Sequence, residues 1–396
     1  MRELDPIELG NASFLTANDV PYALVEITAT QLTKSILDAT DLFREFVAAY
    51  GIHDYERQVW GTDKLLVPSV LIGLGNKTYD SRASLYRANG RGDTRLWFTS
   101  LANVVGPGEL IAVIWANQKF WVINASSSSL KSRSLGEPAV QALLEQFVEA
   151  KSSAVDELRK LIQSVAAKGF IRAPVIGSTA VGRLLESELG IPMNSRNEPD
   201  YKGIEIKSSR AGKNRVSLFA KTPLWSESRY KSSKELLDRF GYARDDRQKL
   251  YCQIDGHKTN SQGLRLRVDE SKDSLHVIHE KSAELNVAKW ELETLRFSLA
   301  NKHDETFWVK AETRMVDGWE YLRFIGIEHT RKPILAQLGP SLANGTVSLD
   351  FTISTKDGKY HDKGYLFKLL PTSLDKLFPP STRYSLEVSS SISEAR

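Results

Sequence analysis

The stretch Pro199-Asp200-Tyr201-Lys202-Gly203-Ile204-Glu205-Ile206-Lys207 decides how the second half of this 396-residue chain is read. Successive side chains of a strand face opposite sides, so Glu205 and Lys207 share one face. Ile204 and Ile206 share the other and turn into a core. Asp200 follows a proline and lies near Gly203, where a turn or a short strand end is expected. A short hairpin would therefore converge the two carboxylates and the lysine. Two acids sharing a divalent cation, with an ammonium aimed at the same point, suit phosphodiester hydrolysis. The metal lowers the pKa of a water and neutralises phosphate charge, while the lysine orients or polarises the nucleophile. On the bare spacing alone, in a chain that is 26% charged, a solvated strand face with alternating charge is the better reading.

The residues upstream change that balance. Val181, Leu184, Leu185 and Leu189 recur at helical spacing. Ser178 or Thr179 can cap the start of this helix, Gly190 its end, and Pro192 prevents continuation. Glu186 lies one turn from Gly182 and off the apolar stripe, and Gly182 leaves room for a backbone or ligand to approach. A helix bearing an acid, a tight turn, and a strand carrying Asp, Glu and Lys form a much rarer ensemble than the spacing alone.

Gly182-Arg183-Leu184-Leu185-Glu186, followed by Pro199-Asp200 and Gly203-Ile204-Glu205-Ile206-Lys207, resembles the PD-(D/E)XK nucleases. Within them it resembles the MvaI/BcnI restriction endonucleases, relatives of the mismatch-repair nickase MutH. Further stretches match in order: Val216 to Pro223 resembles the next strand, and Asp238-Arg239-Phe240-Gly241 and Gly256 to Ser261 resemble two loops. Tyr360 to Lys368 resembles the C-terminal DNA-contact segment. The similarity runs from about residue 151 to the end.

The resemblance implies an α/β (mixed) chain whose residues 151–396 form a PD-(D/E)XK nuclease domain using Mg²⁺. Asp200 and Glu205 would bind the metal, Lys207 would position or activate the attacking water, and Glu186 would assist. Lys258, Asn260, His361, Asp362 and Lys363 would contact DNA. It further implies a monomer that cuts double-stranded DNA at a short near-palindrome, with CCWGG the best match, leaving a 5′-phosphate. One departure stands out: where the family usually carries a second histidine before the glycine of the C-terminal segment, this chain has Lys363. Three other readings stay open: a MutH-like nickase awaiting a partner protein, a DNA-binding regulator with a nuclease fold but no activity, and an RNA-processing nuclease.

Composition sets the outer bounds. The length suggests two or three domains, and 41% hydrophobic residues support ordinary cores. A net charge of +4 is mild for a DNA binder, so local clusters matter more than the total. One cysteine, Cys252, excludes an internal disulfide and a cysteine-based zinc site, and is read as buried filler. The seven histidines are scattered; His276 and His279 are close, but two alone make no metal site. The start Met1-Arg2-Glu3-Leu4-Asp5 carries no signal-peptide pattern, no apolar run would span a membrane, and no Walker loop is visible. A cytoplasmic protein without a nucleotide cofactor is expected.

The first 150 residues read as mainly β. A helix is expected over residues 32–50, and strands over 67–74, 94–98, 109–115 and 118–124, the last two forming a hairpin. Residues 125–132 read as a loop, with helices over 137–149 and 154–167. Trp97, Trp115 and Trp121 are assigned to packing. Between strands, residues 76–95 hold Lys77, Arg82, Arg87, Asn89, Arg91 and Arg95. Arginine reads guanine and asparagine reads adenine in the major groove, and lysine holds phosphate; a solvated charged loop is the competing reading. The arrangement resembles the effector domain of EcoRII, a β-rich pseudobarrel of the plant B-three type. That implies a DNA-binding domain over residues 1–150 that holds a second copy of the site.

Overall fold

A computed structural model of the chain describes residues 2–61, 63–90, 92–147, 153–177, 179–191, 199–212, 214–244, 247–356 and 359–386. Helix α1 (Pro6–Ala17) opens on a capping box, in which Asp5 accepts from the N–H groups of Ile7 and Glu8 while Glu8 reaches back. There follow β1 (Tyr22–Glu26), α2 (Ala29–Lys34), β2 (Leu37–Asp38), α3 (Asp41–Ala49), β3 (Lys64–Ile72), β4 (Thr78–Arg87), β5 (Thr94–Phe98), β6 (Leu110–Ala116), β7 (Lys119–Asn124), α4 (Leu130–Gly136) and α5 (Pro138–Leu144). The strands form one seven-stranded sheet in the order β1-β6-β7-β3-β4-β5-β2, antiparallel except where β3 meets β7. One face buries Phe43 and Val47 of α3 against Leu85, Phe98 and Phe120. The other packs Leu15, Leu130 and Val140 from α1, α4 and α5 on Ile72, Ile114 and Ile123.

Several expectations are corrected here. The helix expected over 32–50 is interrupted. Ser35 turns left-handed at φ 54°, and Leu37, fully buried, pairs with Leu96 of β5 before Thr40 opens α3. Sheet pairing of Leu37 overrides the helical spacing. The charged stretch 76–95 contains strand β4, where Ser81, Ala83 and Leu85 point inward and Arg82 outward; the small Ser81 and Ala83 hide the alternation. The serine run gives way to α4 at Leu130, with Ser129 accepting from the Ser132 N–H. The helix expected over 137–149 is α5 and a short 3₁₀ turn at Glu145–Phe147; residues 148 and 149 lie outside the described residues. The expected hairpin forms, with Asn117 and Gln118 both at positive φ as a two-residue primed turn requires. Trp97 and Trp115 pack against the α3-side core, and Trp121 against the opposite one.

The rest of the chain contributes α6 (Ser153–Ala166), β8 (Ile171–Arg172), α7 (Ala180–Glu188), β9 (Glu205–Arg210), β10 (Val216–Ala220), α8 (Ser233–Phe240), β11 (Tyr242–Arg244), β12 (Arg247–Ile254), β13 (Leu264–Asp269), β14 (Ser274–His279), β15 (Glu284–Glu291), α9 (Leu292–Lys302), β16 (Glu305–Val316), β17 (Trp319–Arg331), α10 (Leu338–Ala343), β18 (Val347–Lys356), β19 (Lys359–Leu369), α11 (Leu374–Leu377) and β20 (Thr382–Ser385). Residues 238–240, expected in a loop, close α8 instead. One sheet runs β20-β17-β16-β9, with β8 added on β17. Its β9–β16 pair is parallel, and α6 and α7 cover it through Leu158, Ile162, Leu184 and Leu185 against Ile206, Phe307 and Phe324. A second sheet, β10-β19-β18-β12-β11, and a third, β13-β14-β15, share a core around Trp290, Leu299, Phe351 and Phe367. Cys252 is half-buried against that core.

Residues on either side of position 150 touch directly. Ile334 is buried among the α1 and α5 residues. Asp19 pairs with Arg331 at 3.2 Å and with Lys332 at 2.8 Å. Arg296 of α9 forks between Glu45 of α3 and Asp273. Among the described residues no helix is long and apolar enough to cross a membrane.

Candidate active site

The turn before β9 is built by backbone geometry. Tyr201 and Ile204 exchange both backbone hydrogen bonds, at 2.9 and 2.8 Å. Lys202 and Gly203 between them adopt φ 45° and 88°, the left-handed region that glycine enters without penalty. This folds Asp200 back over the start of the strand, where its Oδ2 accepts from the Ile206 N–H at 2.9 Å. Helix α7 begins at Ala180, after Thr179, and Gly190 leaves it at φ 68°. Ser178 and Pro192, expected as its cap and stop, lie outside the described residues.

Glu186, Asp200, Glu205 and Lys207 converge. Burial raises the pKa of Glu186, and Asp200 and Glu205 add to this while Lys207 and Arg183 oppose it. Ile204 and Ile206 enter the core as the alternation requires. Glu205 is buried as well, at 1% exposure, although it faces the other way. Its Oε1 lies 2.5 Å from Lys207 Nζ and its Oε2 lies 3.1 Å from Lys302 Nζ. These are ion pairs without ordinary hydrogen-bond angles, and neither oxygen has a hydrogen-bond partner otherwise. Burial raises the Glu205 pKa, and the two lysines pull it back. At Gly182 a side-chain carbon would lie 3.7 Å from Glu186 Oε1 and from Ser208 Oγ; the room there is modest and borders the acid.

Lys302 was not visible in the motif. It ends α9, far along the chain, and no spacing ties it to β9; only the fold brings it there. His303 follows it and is fully buried. Its Nε2 bonds the Leu218 carbonyl at 3.0 Å, its Nδ1 meets Thr306 Oγ1 at 3.0 Å, and its ring stacks on Trp308.

Among the described residues no group of three or more His, Cys, Asp or Glu is gathered as a complete metal cage. Mg²⁺ does not need one, being held by one or two carboxylates with water and phosphate oxygens. The oxygen-only pair Asp200 and Glu205, with the buried Glu205 oxygens matched only by ammonium groups, fits such an ion.

The expected DNA contacts are spread over several surfaces. Lys77, Arg82 and Asn89 are exposed on the β3–β4 turn, on β4 and after it. Arg87 turns back, its Nε donating to the Gly92 carbonyl at 3.0 Å and its guanidinium lying over Trp60. Arg95 is paired with Asp38 and Asp93. Arg91 lies outside the described residues. In the other half Lys258 is exposed, whereas Asn260 braces its own loop, accepting from the Leu264 N–H and donating to the Gln253 carbonyl, both at 2.9 Å. His361, Asp362 and Lys363 lie exposed on β19. Asp362 accepts from Ser233 Oγ at 2.5 Å and from the Gly364 N–H at 2.6 Å, which ties the segment to the start of α8.

The fold is that of a restriction endonuclease. The structure of restriction endonuclease MvaI with its cognate DNA substrate is similar over 60% of this chain and 100% of its own, with a TM-score of 0.53 at 21% identity. MvaI without DNA aligns over 61% of this chain and 100% of its own, with a TM-score of 0.37 at 21% identity. The family model of the MvaI/BcnI restriction endonucleases matches residues 159–378, and the chain belongs to that family. No curated protein sequence matches the chain.

Proposed function

We propose that the protein is a Mg²⁺-dependent type II restriction endonuclease in which Glu186, Asp200, Glu205 and Lys207 form the hydrolytic site. The observation that carries this is the buried Glu205 carboxylate, held between ammonium groups beside Asp200. A divalent cation bound there would lower the pKa of a water and neutralise phosphate charge. Asp200 and Glu205 would supply its oxygen ligands. Lys207 would orient the attacking water, and Glu186 would assist through an ordered water or a second ion. The product would carry a 5′-phosphate.

The target we propose is a short near-palindrome of the CCWGG type, read by the β19 segment with His361, Asp362 and Lys363 and by the loop of Lys258 and Asn260. Residues 1–150 would be an EcoRII-effector-like pseudobarrel presenting Lys77, Arg82, Arg87, Asn89, Arg91 and Arg95 to a second copy of the site. The protein would act as a cytoplasmic monomer. MvaI has been captured with its cognate DNA substrate, which supports duplex DNA as the ligand here. Asp200→Ala and Lys207→Ala should each abolish cleavage while gel-shift affinity for target DNA stays within about threefold, since phosphate contacts elsewhere supply most of the binding. Cleavage by either variant at the normal rate would remove the proposed site.

A further inference from the structure

Glu205 faces two ammonium groups, and only Lys207 belongs to the strand motif. We propose that Lys302 is a positioning residue of the same site: in the metal-free protein its ammonium takes the cation position beside Glu205 Oε2, keeping the carboxylate charged and aimed until a divalent ion displaces it. The inference rests on reading Asp200 and Glu205 as the cation-binding pair.

The geometry is fixed rather than incidental. Glu205 is 1% exposed, and its oxygens have no hydrogen-bonding group other than the lysines. A buried carboxylate needs a counter-charge or a proton. Lys207 covers Oε1, and Lys302, 3.1 Å from Oε2, covers the other. Lys302 is no loose surface lysine. It ends α9, where the carbonyl ends of the helix favour a cation, and His303 beside it is locked to Leu218 and Thr306. Thr306 is also the register partner of Glu205 across the parallel β9–β16 ladder. The same few residues therefore hold both the lysine and the strand that carries the carboxylate.

The charges dictate a testable sign. An ion bound by Glu205 brings its positive charge against an ammonium on the same carboxylate, so Lys302 competes with the metal. A residue that merely propped up the site would, when removed, weaken metal binding instead. Mn²⁺ binding to the full chain without DNA, read from the EPR signal of free Mn²⁺, separates the two. Lys302→Met should bind Mn²⁺ roughly tenfold tighter, as expected for removing a unit charge at this range. Lys302→Arg should stay near wild type, and Asp200→Ala should lose the site. The Mg²⁺ concentration for half-maximal cleavage should fall in parallel for Lys302→Met. If that variant does not fold, Lys302→Gln carries the same prediction.

Binding by Lys302→Met that is equal to or weaker than wild type overturns the role of Lys302. If Asp200→Ala still loses the ion in that case, the site reading survives alone. If Asp200→Ala binds Mn²⁺ like wild type, the ion lies elsewhere and both readings fall.

Discussion

The His303 imidazole is enclosed on every side, and its Nε2 can only donate to the Leu218 carbonyl, leaving Nδ1 to accept from Thr306. Burial, with Lys207 and Lys302 adding to it, pulls its pKa down to about 3 from an ordinary 6.5. Between those values the unfolded chain takes up a proton that the folded chain refuses. The stability that neutral His303 contributes is therefore complete above pH 6.5 and lost as pH falls toward 3, by at most about 1.4 kcal/mol per pH unit. His303→Gln should flatten the fall in denaturation midpoint between pH 6.5 and 4.5; an unchanged slope would assign the acid sensitivity to other groups. At this scale the sequence showed the alternation that sends Ile204 and Ile206 inward and sets Glu205 beside Lys207. It did not show that Glu205 would be buried, because Lys302 and Thr306, which meet it there, come from α9 and β16 and only the fold brings them to β9.

Helix α9 links the two halves. Midway along it, Arg296 is nearly buried and forks between Glu45 of α3 and Asp273; at its C-terminal end, Lys302 reaches Glu205. Arg296→Met would leave two carboxylates facing each other without their cation. Breaking a buried pair in this way costs roughly 3–5 kcal/mol, and urea denaturation should show it. A loss below about 1 kcal/mol, the range of exposed pairs, would mean that the fork is solvated and does not hold α9 to α3. Elements whose pairing is local were legible: α6, α7, and the β6–β7 hairpin, whose turn falls at Asn117-Gln118, one residue beyond the Ala116-Asn117 connection expected. Where distant pairing decides, legibility failed. Leu37 leaves a helical pattern to join Leu96 of β5, and Arg82 lies on a strand where the inward residues flanking it, Ser81 and Ala83, are too small to announce it.

For the whole molecule, the family match covers the half carrying the proposed hydrolytic site, and the seven-stranded sheet before residue 125 carries a core on each face, one of them completed by Ile334. Removing residues 1–150 would expose Ile334, take Asp19 from Arg331 and Lys332, and take Glu45 from Arg296. The remaining fragment should fold with a lowered midpoint and cut more slowly or less selectively. A fragment that neither folds nor cuts would show that the halves are one unit. If residues 1–150 hold a second copy of the site as proposed, the linkage would raise its effective concentration, and a plasmid with two targets should be cut faster than one with a single target.

Cleavage of a supercoiled plasmid bearing CCWGG sites, compared with one lacking them, in Mg²⁺ and in EDTA, tests the central claim most directly. The account expects discrete fragments from the first plasmid alone, in Mg²⁺ alone, with both strands cut by the isolated protein. Nicking without double-strand cleavage would favour a repair-type nickase, and intact plasmid under every condition would contradict the endonuclease reading or its target.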